Sequence, residues 1–301
     1  MSQRVKADLA LGFCSLIWGA TFVVVKEALE GASVFAFIAV RFALAAVLMA
    51  AIFHAALRKL TRAEIWAGVQ IGVFMFAGYA FQTLGLRQTT PTKAGFITGF
   101  SVVLVPVLMA AFWRRKINAW IWAGALAALV GLYFLSVPPG ALGPAFAALN
   151  FGDLLVLGCA VMFAIHIILV GQYSPRHSVG ALSFLQVATT AVLGLAAVPL
   201  VAAAGLESPR FSCTPAVIFG VLITAVGATA IAFTIQVWAQ QHTSATHTAI
   251  LFSLEPVFAA LTSYIVLNER LGGRALVGAA LVLAGILLAE LKGPTQVAPE
   301  S

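Results

Sequence analysis

Long, nearly uncharged apolar runs dominate this sequence of 301 residues. Hydrophobic residues make up 62% of the chain and charged residues only 9%, whereas a soluble globular protein is about a quarter charged. So little charge cannot cover the surface of a water-soluble protein of this size, so lipid must solvate most of it. A membrane-spanning helix needs about 20 apolar residues, whereas barrel strands give short alternating segments. The continuous runs therefore predict an all-α membrane protein with almost no domain outside the bilayer.

Polar breaks divide the apolar sequence into ten predicted transmembrane helices. They lie at about 9–25, 34–57, 65–86, 94–113, 120–137, 154–170, 179–203, 216–239, 245–267 and 275–291. Between the fifth and sixth, Pro138, Pro139 and Gly140 open an uncharged segment that is typical of a linker. We therefore divide the chain into a first five-helix unit at 1–137, a linker at 138–151, a second five-helix unit at 152–291 and a polar tail at 292–301.

The two five-helix units share residues in a constant order, which indicates an internal repeat. The aligned pairs include Trp18 with Phe163, Thr21 with His166, Pro106 with Pro256, Gly124 with Gly278, and Gly131 with Gly285. Because each unit has an odd number of spans, the second unit enters the membrane from the opposite side. The fold class is therefore predicted as ten transmembrane helices in two inverted five-helix repeats, an arrangement that encloses a site near the bilayer midplane in transporters.

The net charge of +7 reflects orientation in the membrane rather than a nucleic-acid partner. With the N-terminus inside, ten of the 17 Lys and Arg residues fall in inner segments and six in outer segments, with Arg41 inside a span. This excess predicts that both termini are cytoplasmic. We expect a multi-pass protein of the inner (plasma) membrane of a bacterial cell, with the lipid bilayer as its surroundings.

No pattern of catalytic, metal-binding or cofactor-binding residues is visible in the sequence. The cysteines Cys14, Cys159 and Cys213 lack metal-ligand spacing, and their odd number argues against a disulfide framework. There is no Walker-type phosphate loop, no HExxH and no GxSxG. We therefore expect no catalytic residue, no metal and no cofactor, and we do not expect an enzyme.

Glu255 is the strongest candidate for a functional residue. It stands beside Pro256 inside a long apolar run, where an ionisable group is costly and is a functional candidate by default. Glu255 shares a helical stripe with Leu251 and His247, four and eight residues earlier. The two titratable groups could serve substrate and proton, with Glu255 as the proton-coupling candidate. The alternative is that backbone groups freed beside Pro256 satisfy Glu255 structurally.

Further polar and aromatic side chains at mid-span positions predict the lining of a cavity that binds an organic molecule. The full set of predicted cavity residues is Trp18, Thr21, Phe22, Tyr79, Gln82, His166, Gln236, His247 and Glu255. Lipid offers Gln82 and Gln236 no hydrogen-bond partner, so they are the more informative members. For Trp18 alone, ordinary helix packing is the preferred interpretation, and His166 could be a hydrogen-bonded core residue.

A second set of residues is assigned structural roles. The set comprises Arg41, Pro106, Pro256, Gly124, Gly131, Gly278 and Gly285. The prolines shape the two matching helices, and the glycines permit close helix packing. Arg41 could bind an anionic substrate, but snorkelling or pairing with a carbonyl or carboxylate is the preferred interpretation.

The sequence resembles the EamA-type transporters of the drug/metabolite transporter superfamily along nearly its whole length. In the first unit the resemblance rests on Trp18-Gly19-Ala20-Thr21-Phe22, Lys26 and Arg41-Phe42. In the second unit it rests on Leu254-Glu255-Pro256-Val257-Phe258, Asn268-Glu269-Arg270-Leu271 and the glycines from Gly278 to Gly285. The positions that match family motifs are Trp18, Gly19, Lys26, Arg41, Glu255, Pro256 and Glu269. The first unit departs from the pattern, since Val105 stands where a counterpart of Glu255 would be.

The resemblance implies ten helices around a central cavity and the export of amino acids or small metabolites. Transport would be secondary active, coupled to an ion gradient, or facilitated diffusion. The leading hypothesis is therefore a transporter of a small-molecule substrate that works by alternating access. A lipid scramblase or a membrane-embedded enzyme is the alternative, and side chains such as His166 and Gln82 facing lipid would favour the scramblase. A homo-oligomer is compatible with the sequence.

Overall fold

The computed structural model describes residues 2–89, 91–136, 150–267 and 272–292, and these are almost entirely helical. Residues 138–149 of the predicted linker, Glu269 and most of the polar tail lie outside the described residues. The helices are α1 (Gln3–Gly31), α2 (Val34–Ile52), α3 (His54–Leu57), α4 (Arg62–Leu86), α5 (Pro91–Thr98), α6 (Ser101–Ala111), α7 (Ala119–Ser136), α8 (Phe151–Tyr173), α9 (Val179–Ala203), α10 (Pro215–Ala239), α11 (Ala245–Phe252), α12 (Glu255–Leu267) and α13 (Gly273–Lys292).

Eight segments of the described residues are long and apolar enough to cross a membrane. Two shorter apolar helices, Ala119–Phe134 and Gly273–Ala289, fall below that length. The helices begin where polar residues cap them, as at the capping boxes of Thr61 with Glu64 and of Asn150 with Asp153. In each box the cap side chain accepts a hydrogen bond from the backbone N–H three residues on, and the carboxylate of that third residue accepts one from the backbone N–H of the cap.

Two predicted spans are broken into half-helices. The span predicted at 94–113 has a turn at Gly99 and Phe100, between α5 and α6. The span predicted at 245–267 has a turn at Ser253 and Leu254, between α11 and α12. The two prolines are not placed alike, because Pro256 directly follows its turn as the second residue of α12, whereas Pro106 lies inside α6.

A third predicted span, α10, departs from the α-helix without breaking. Its residues Thr224–Ile231 form a π-helical segment, a form that is frequent at functional sites. The span predicted at 34–57 also differs, since α2 ends at Ile52 and the short α3 follows.

Close helix contacts join the two halves of the chain. The helices α7 and α13 pack along each other, α2 packs on α9, and α8 packs on α4. An added Cβ at Gly124 would lie 2.6 Å from the carbonyl oxygen of Gly285, and one at Gly131 would lie 2.6 Å from that of Gly278. Such distances leave no room for a side chain, so these positions admit only glycine without a shift of one helix.

The loop before α10 fastens the start of α2. Both carboxylate oxygens of Glu207 accept hydrogen bonds from the first backbone N–H groups of α2, at 2.8 Å from Val34 and 3.1 Å from Phe35. One of these oxygens also accepts a bond of 2.9 Å from Arg87, at the end of α4. Glu207 therefore acts as a helix cap supplied from the other half of the chain.

Replacing Glu207 should lower stability more than replacing its ionic partner. Glu207→Ala removes the cap and is expected to cost about 1–2 kcal/mol. Arg87 is half-exposed, with 46% of its side chain accessible, so Arg87→Ala should cost less than about 1 kcal/mol. Thermal unfolding of the two purified variants in one detergent measures the difference. Equal losses would show that the ion pair, and not the cap, carries the stabilisation.

Candidate functional site

A cavity of about 830 Å³, including its open part, lies between the two halves of the chain. Its walls come from α1, α2, α4, α8 and α10 and from the broken helices α5–α6 and α11–α12. Both helix breaks face it, since Gly99 and Ser101 line it at one break and Phe252 and Glu255 at the other. Non-helical backbone at membrane depth is tolerated where it lines such a cavity, because its polar groups are not exposed to lipid there.

Aromatic side chains form most of the apolar wall. The aromatic lining residues are Trp18, Phe22, Tyr79, Phe163, Phe233 and Phe252. They pack edge to face or tilted, with ring centroids 5.3 Å apart for Trp18 and Phe233 and 5.2 Å apart for Tyr79 and Phe163. The polar end of Trp18 is occupied, because its Nε1 donates to the carbonyl oxygen of Ala228 at 2.8 Å. The wall is therefore rigid and suits the apolar part of an organic ligand.

Two polar lining residues are held by other side chains of the second half. His166, 1% exposed, lies 2.9 Å from Oε1 of Gln186 on α9. Since an amide oxygen only accepts, His166 donates through Nε2. Gln236 donates to Oε1 of Gln240 at 3.0 Å, and Gln240 donates to the carbonyl oxygen of Ile167 at 2.9 Å. The buried Oε1 of Gln236 has no hydrogen-bond partner among the described residues, so it is available to a donor on a ligand.

Glu255 lies in the first turn of α12, directly after the break. A carboxylate is favoured there by the positive end of the helix dipole. Within the described part of the chain, no side chain forms an ion pair or hydrogen bond with its carboxylate. The group lines the cavity and is half-buried. The geometry therefore leaves Glu255 available to bind a proton or a positively charged group.

Eight of the nine predicted cavity residues line this one cavity, and His247 is the exception. His247 lies in the first turn of α11, with its Nε2 3.3 Å from Oδ1 of Asp8. The turn at Ser253 and Leu254 interrupts the helix, so the stripe that was predicted to join His247 to Glu255 does not exist. The assumption of one continuous helix was wrong. After the break, the residues of α12 no longer follow the helical periodicity of α11, so their side chains face other directions.

The structure adds lining residues that the sequence prediction left out. Arg41 lines the cavity from α2, a helix that was not expected to contribute. Phe163 also lines it, and its alignment with Trp18 in the repeat could have identified it. Thr98, Gly99 and Ser101 line the first break, where a threonine, a glycine and a serine close together in an apolar span were the available signal. Lys26, predicted near a span end, caps α4 by donating to the carbonyl oxygens of Leu86 and Thr89.

The described residues contain no group of three or more His, Cys, Asp or Glu side chains placed to hold a metal ion.

Comparison with known proteins identifies the family. The chain is 38% identical to an uncharacterized transporter of Archaeoglobus fulgidus over 290 residues, which cover 96% of this chain and 87% of the relative. It is 23% identical to the uncharacterized transporter YetK of Bacillus subtilis, covering 97% of this chain and 89% of the relative. A solved crystal structure matches 95% of this chain and 97% of its own with a TM-score of 0.74 at 19% identity, which shows the fold alone. The family model of EamA-like transporters matches residues 5–137 and 150–291. This multi-pass membrane protein therefore belongs to the EamA-like transporter family.

Proposed function

We propose that this protein is a secondary active or facilitated transporter that exports amino acids or other small metabolites by alternating access. The observation that carries the proposal is the cavity between the two halves, with apolar aromatic walls and a few polar groups around it. The substrate would bind there, with Glu255 binding either a positively charged group of the substrate or a proton.

The proposal includes ten transmembrane helices arranged as two inverted five-helix repeats. The eight long apolar segments and the two shorter apolar helices supply the ten crossings. The main helix contacts are preserved when each helix of the first half is exchanged for its counterpart in the second half. The exchanged pairs are α1 with α8, α2 with α9, α4 with α10 and α7 with α13. Thus α1 packs on α10 as α8 packs on α4, while α2 with α9 and α7 with α13 each pair with their own counterpart. This exchange supports a two-fold axis in the membrane plane.

The glycine contacts obey the same exchange. Gly124 and Gly131 on α7 align in sequence with Gly278 and Gly285 on α13. In space Gly124 meets Gly285 and Gly131 meets Gly278, the crosswise pattern of an isologous contact between two-fold related elements. Two halves related in this way would have two equivalent packings, which alternating access requires. Both termini would then lie on one side, which we propose to be the cytoplasmic side of a bacterial inner membrane.

We infer that packing closes one end of the cavity. Towards the N-terminus of α1, a buried and mostly aliphatic cluster packs between α1, α6, α8, α10 and α11, among them Leu11, Cys14, Ile168 and Ala249. Ser15 adds a hydrogen bond across this contact to the carbonyl oxygen of Leu251, at 3.2 Å. The cluster would act as the closed gate on the side that carries the N-terminus.

A lipid scramblase receives no support from the positions of the polar residues. That activity would require a polar groove open to lipid. His166 and Gln82 instead line the cavity between the halves.

Reconstitution into vesicles tests the transport proposal. Purified protein in liposomes is expected to move at least one solute from a panel of amino acids, nucleosides, organic cations and sugars with saturable kinetics. The same solute should raise the unfolding temperature in detergent, because a ligand present at about 100 times its Kd adds about 2.7 kcal/mol to stability. Lipid movement without saturable solute flux would overturn the proposal in favour of a scramblase.

A further inference from the structure

Arg41 is a buried cation with neutral partners. It is 5% exposed, in the middle of α2. Its Nε donates to Oγ1 of Thr229 at 2.9 Å, and its Nη2 donates to the hydroxyl of Tyr79 at 3.3 Å. The guanidinium carbon lies 4.6 Å from the ring centroid of Tyr79 and 5.2 Å from that of Phe42. An arginine stays charged in proteins, so these contacts hold a full positive charge in place.

The π-helical segment of α10 contributes to this support. It presents Oγ1 of Thr229 to Nε and the carbonyl oxygen of Ala228 to Nη2, the latter at 3.5 Å. The segment therefore supports the edge of the guanidinium that carries Nε and Nη2, and it leaves Nη1 as the nitrogen that can take a further acceptor. Among the described residues, no carboxylate lies within ion-pair distance of Arg41, and no acceptor is bonded to Nη1. A buried charge is normally paired with an opposite charge. The guanidinium of Arg41 therefore lacks the anionic partner that a buried cation usually has.

The cavity supplies the space for that anion. Arg41 and Glu255 both line it, and neither forms an ion pair with a described residue. Aromatic side chains line the same cavity, including Tyr79, Phe163 and Phe233. A carboxylate accepts a short, charge-assisted hydrogen bond from a guanidinium N–H such as that of Nη1. The apolar walls suit an organic body attached to that carboxylate.

We propose that Arg41 binds a carboxylate on the transported solute, through the guanidinium edge that faces the cavity, with Thr229 and Tyr79 as positioning residues. The inference rests on the transport proposed above and names the substrate class: organic carboxylates with an apolar body. It also revises the structural role that the sequence suggested for Arg41.

Four probes that share one phenyl ring test the proposal. They are 3-phenylpropionate, phenylalanine, phenylalanine amide and phenethylamine, of which only the first two carry a carboxylate. The full-length protein in detergent is expected to be stabilised by the two carboxylates. In Arg41→Gln their affinity should fall by about 10- to 100-fold, because a charge-assisted hydrogen bond from a buried cation is lost. Any response to the amide and the amine should stay unchanged.

Two further variants separate binding from folding. Arg41→Lys keeps the charge without the planar fork and should give a smaller loss that is confined to the carboxylates. Thr229→Val removes the acceptor of Nε, leaves Arg41 in place and should act in the same direction. If Arg41→Gln does not fold, these two variants carry the comparison.

The proposal is overturned if neither carboxylate stabilises the wild-type protein, or if the variants lose affinity for all four probes alike. This result is distinct from failure of the transport proposal. If solutes without a carboxylate show saturable flux, and substitutions of Arg41 do not change that flux, only the role of Arg41 is overturned. Absence of saturable flux for every solute would overturn transport itself.

Discussion

The Glu255→Gln variant is expected to lose most of its solute flux and the dependence of that flux on pH. Glu255 lies at the start of α12 and faces the cavity without an ion-pair partner among the described residues. Glutamine keeps the size and the hydrogen-bonding capacity of the side chain but removes the charge and the titratable proton. A hydrogen bond to a charged group contributes about 1.5–3 kcal/mol, so kcat/KM should fall by about tenfold or more.

Glu64→Gln is the matched control for this experiment. Glu64 is a carboxylate that is more buried than Glu255, at 9% exposed, but it lies outside the cavity, in the capping box of α4. Its carboxylate accepts hydrogen bonds of 2.9 Å from the backbone N–H and the hydroxyl of Thr61. The control should lower thermal stability slightly and leave the pH profile of flux unchanged. Unaltered flux and an unaltered pH profile in Glu255→Gln would refute the role of Glu255 and favour a structural carboxylate.

Gly19→Ala is expected to be the most destabilising single-methyl change in α1. A Cβ at Gly19 would overlap the carbonyl oxygen of Glu255 and lie 2.9 Å from the backbone nitrogen of Ala259. These are backbone atoms of α12 and cannot rotate away, so α1 and α12 would have to separate. Overpacking of this kind typically costs about 1–3 kcal/mol. The shift would also move Glu255, so flux should fall even in the fraction that remains folded.

Gly12→Ala provides the control in the same helix. There an added Cβ would meet only Cδ1 of Leu254, at 3.9 Å, which is an ordinary contact. Replacing glycine by alanine in a helix interior adds about 1 kcal/mol of helix stability, so this variant should be neutral or slightly stabilised. Thermal unfolding of both variants in detergent, with flux in vesicles, measures the contrast. Similar midpoints for the two variants would show that α1 and α12 are not in tight contact.

The sequence placed residues at the cavity where their selection did not depend on helix continuity. Gln82 and Gln236 were selected because lipid offers amides no partner, and both line the cavity. The prediction for His247 depended on an unbroken α-helix from 245 to 267. The turn at Ser253 and Leu254 removed that basis, and His247 instead approaches Asp8 at 3.3 Å. The prolines do not predict the position of such a turn. Pro256 lies directly after the turn in the second half, whereas its counterpart Pro106 lies inside α6 in the first half.

The sequence by itself showed that lipid surrounds this protein, and it indicated the family to which the protein belongs. A chain with 9% charged residues must be surrounded by lipid, and in lipid the helix is the element that satisfies its own backbone hydrogen bonds. Motifs such as Trp18-Gly19 and Glu255-Pro256 indicated the EamA-type transporters, and the family model matches both halves. These properties follow from composition and local pattern, which do not depend on how the helices are arranged.

Only the tertiary structure decided which polar groups meet. Arg41 lies on a helix that the sequence did not assign to the cavity, yet it faces the cavity that Glu255 also lines. Its support comes from Thr229 and Ala228 in the π-helical segment of α10, almost two hundred residues away in the chain. Contacts over such separations depend on helix packing and on where helices break, and neither is encoded in a local periodicity.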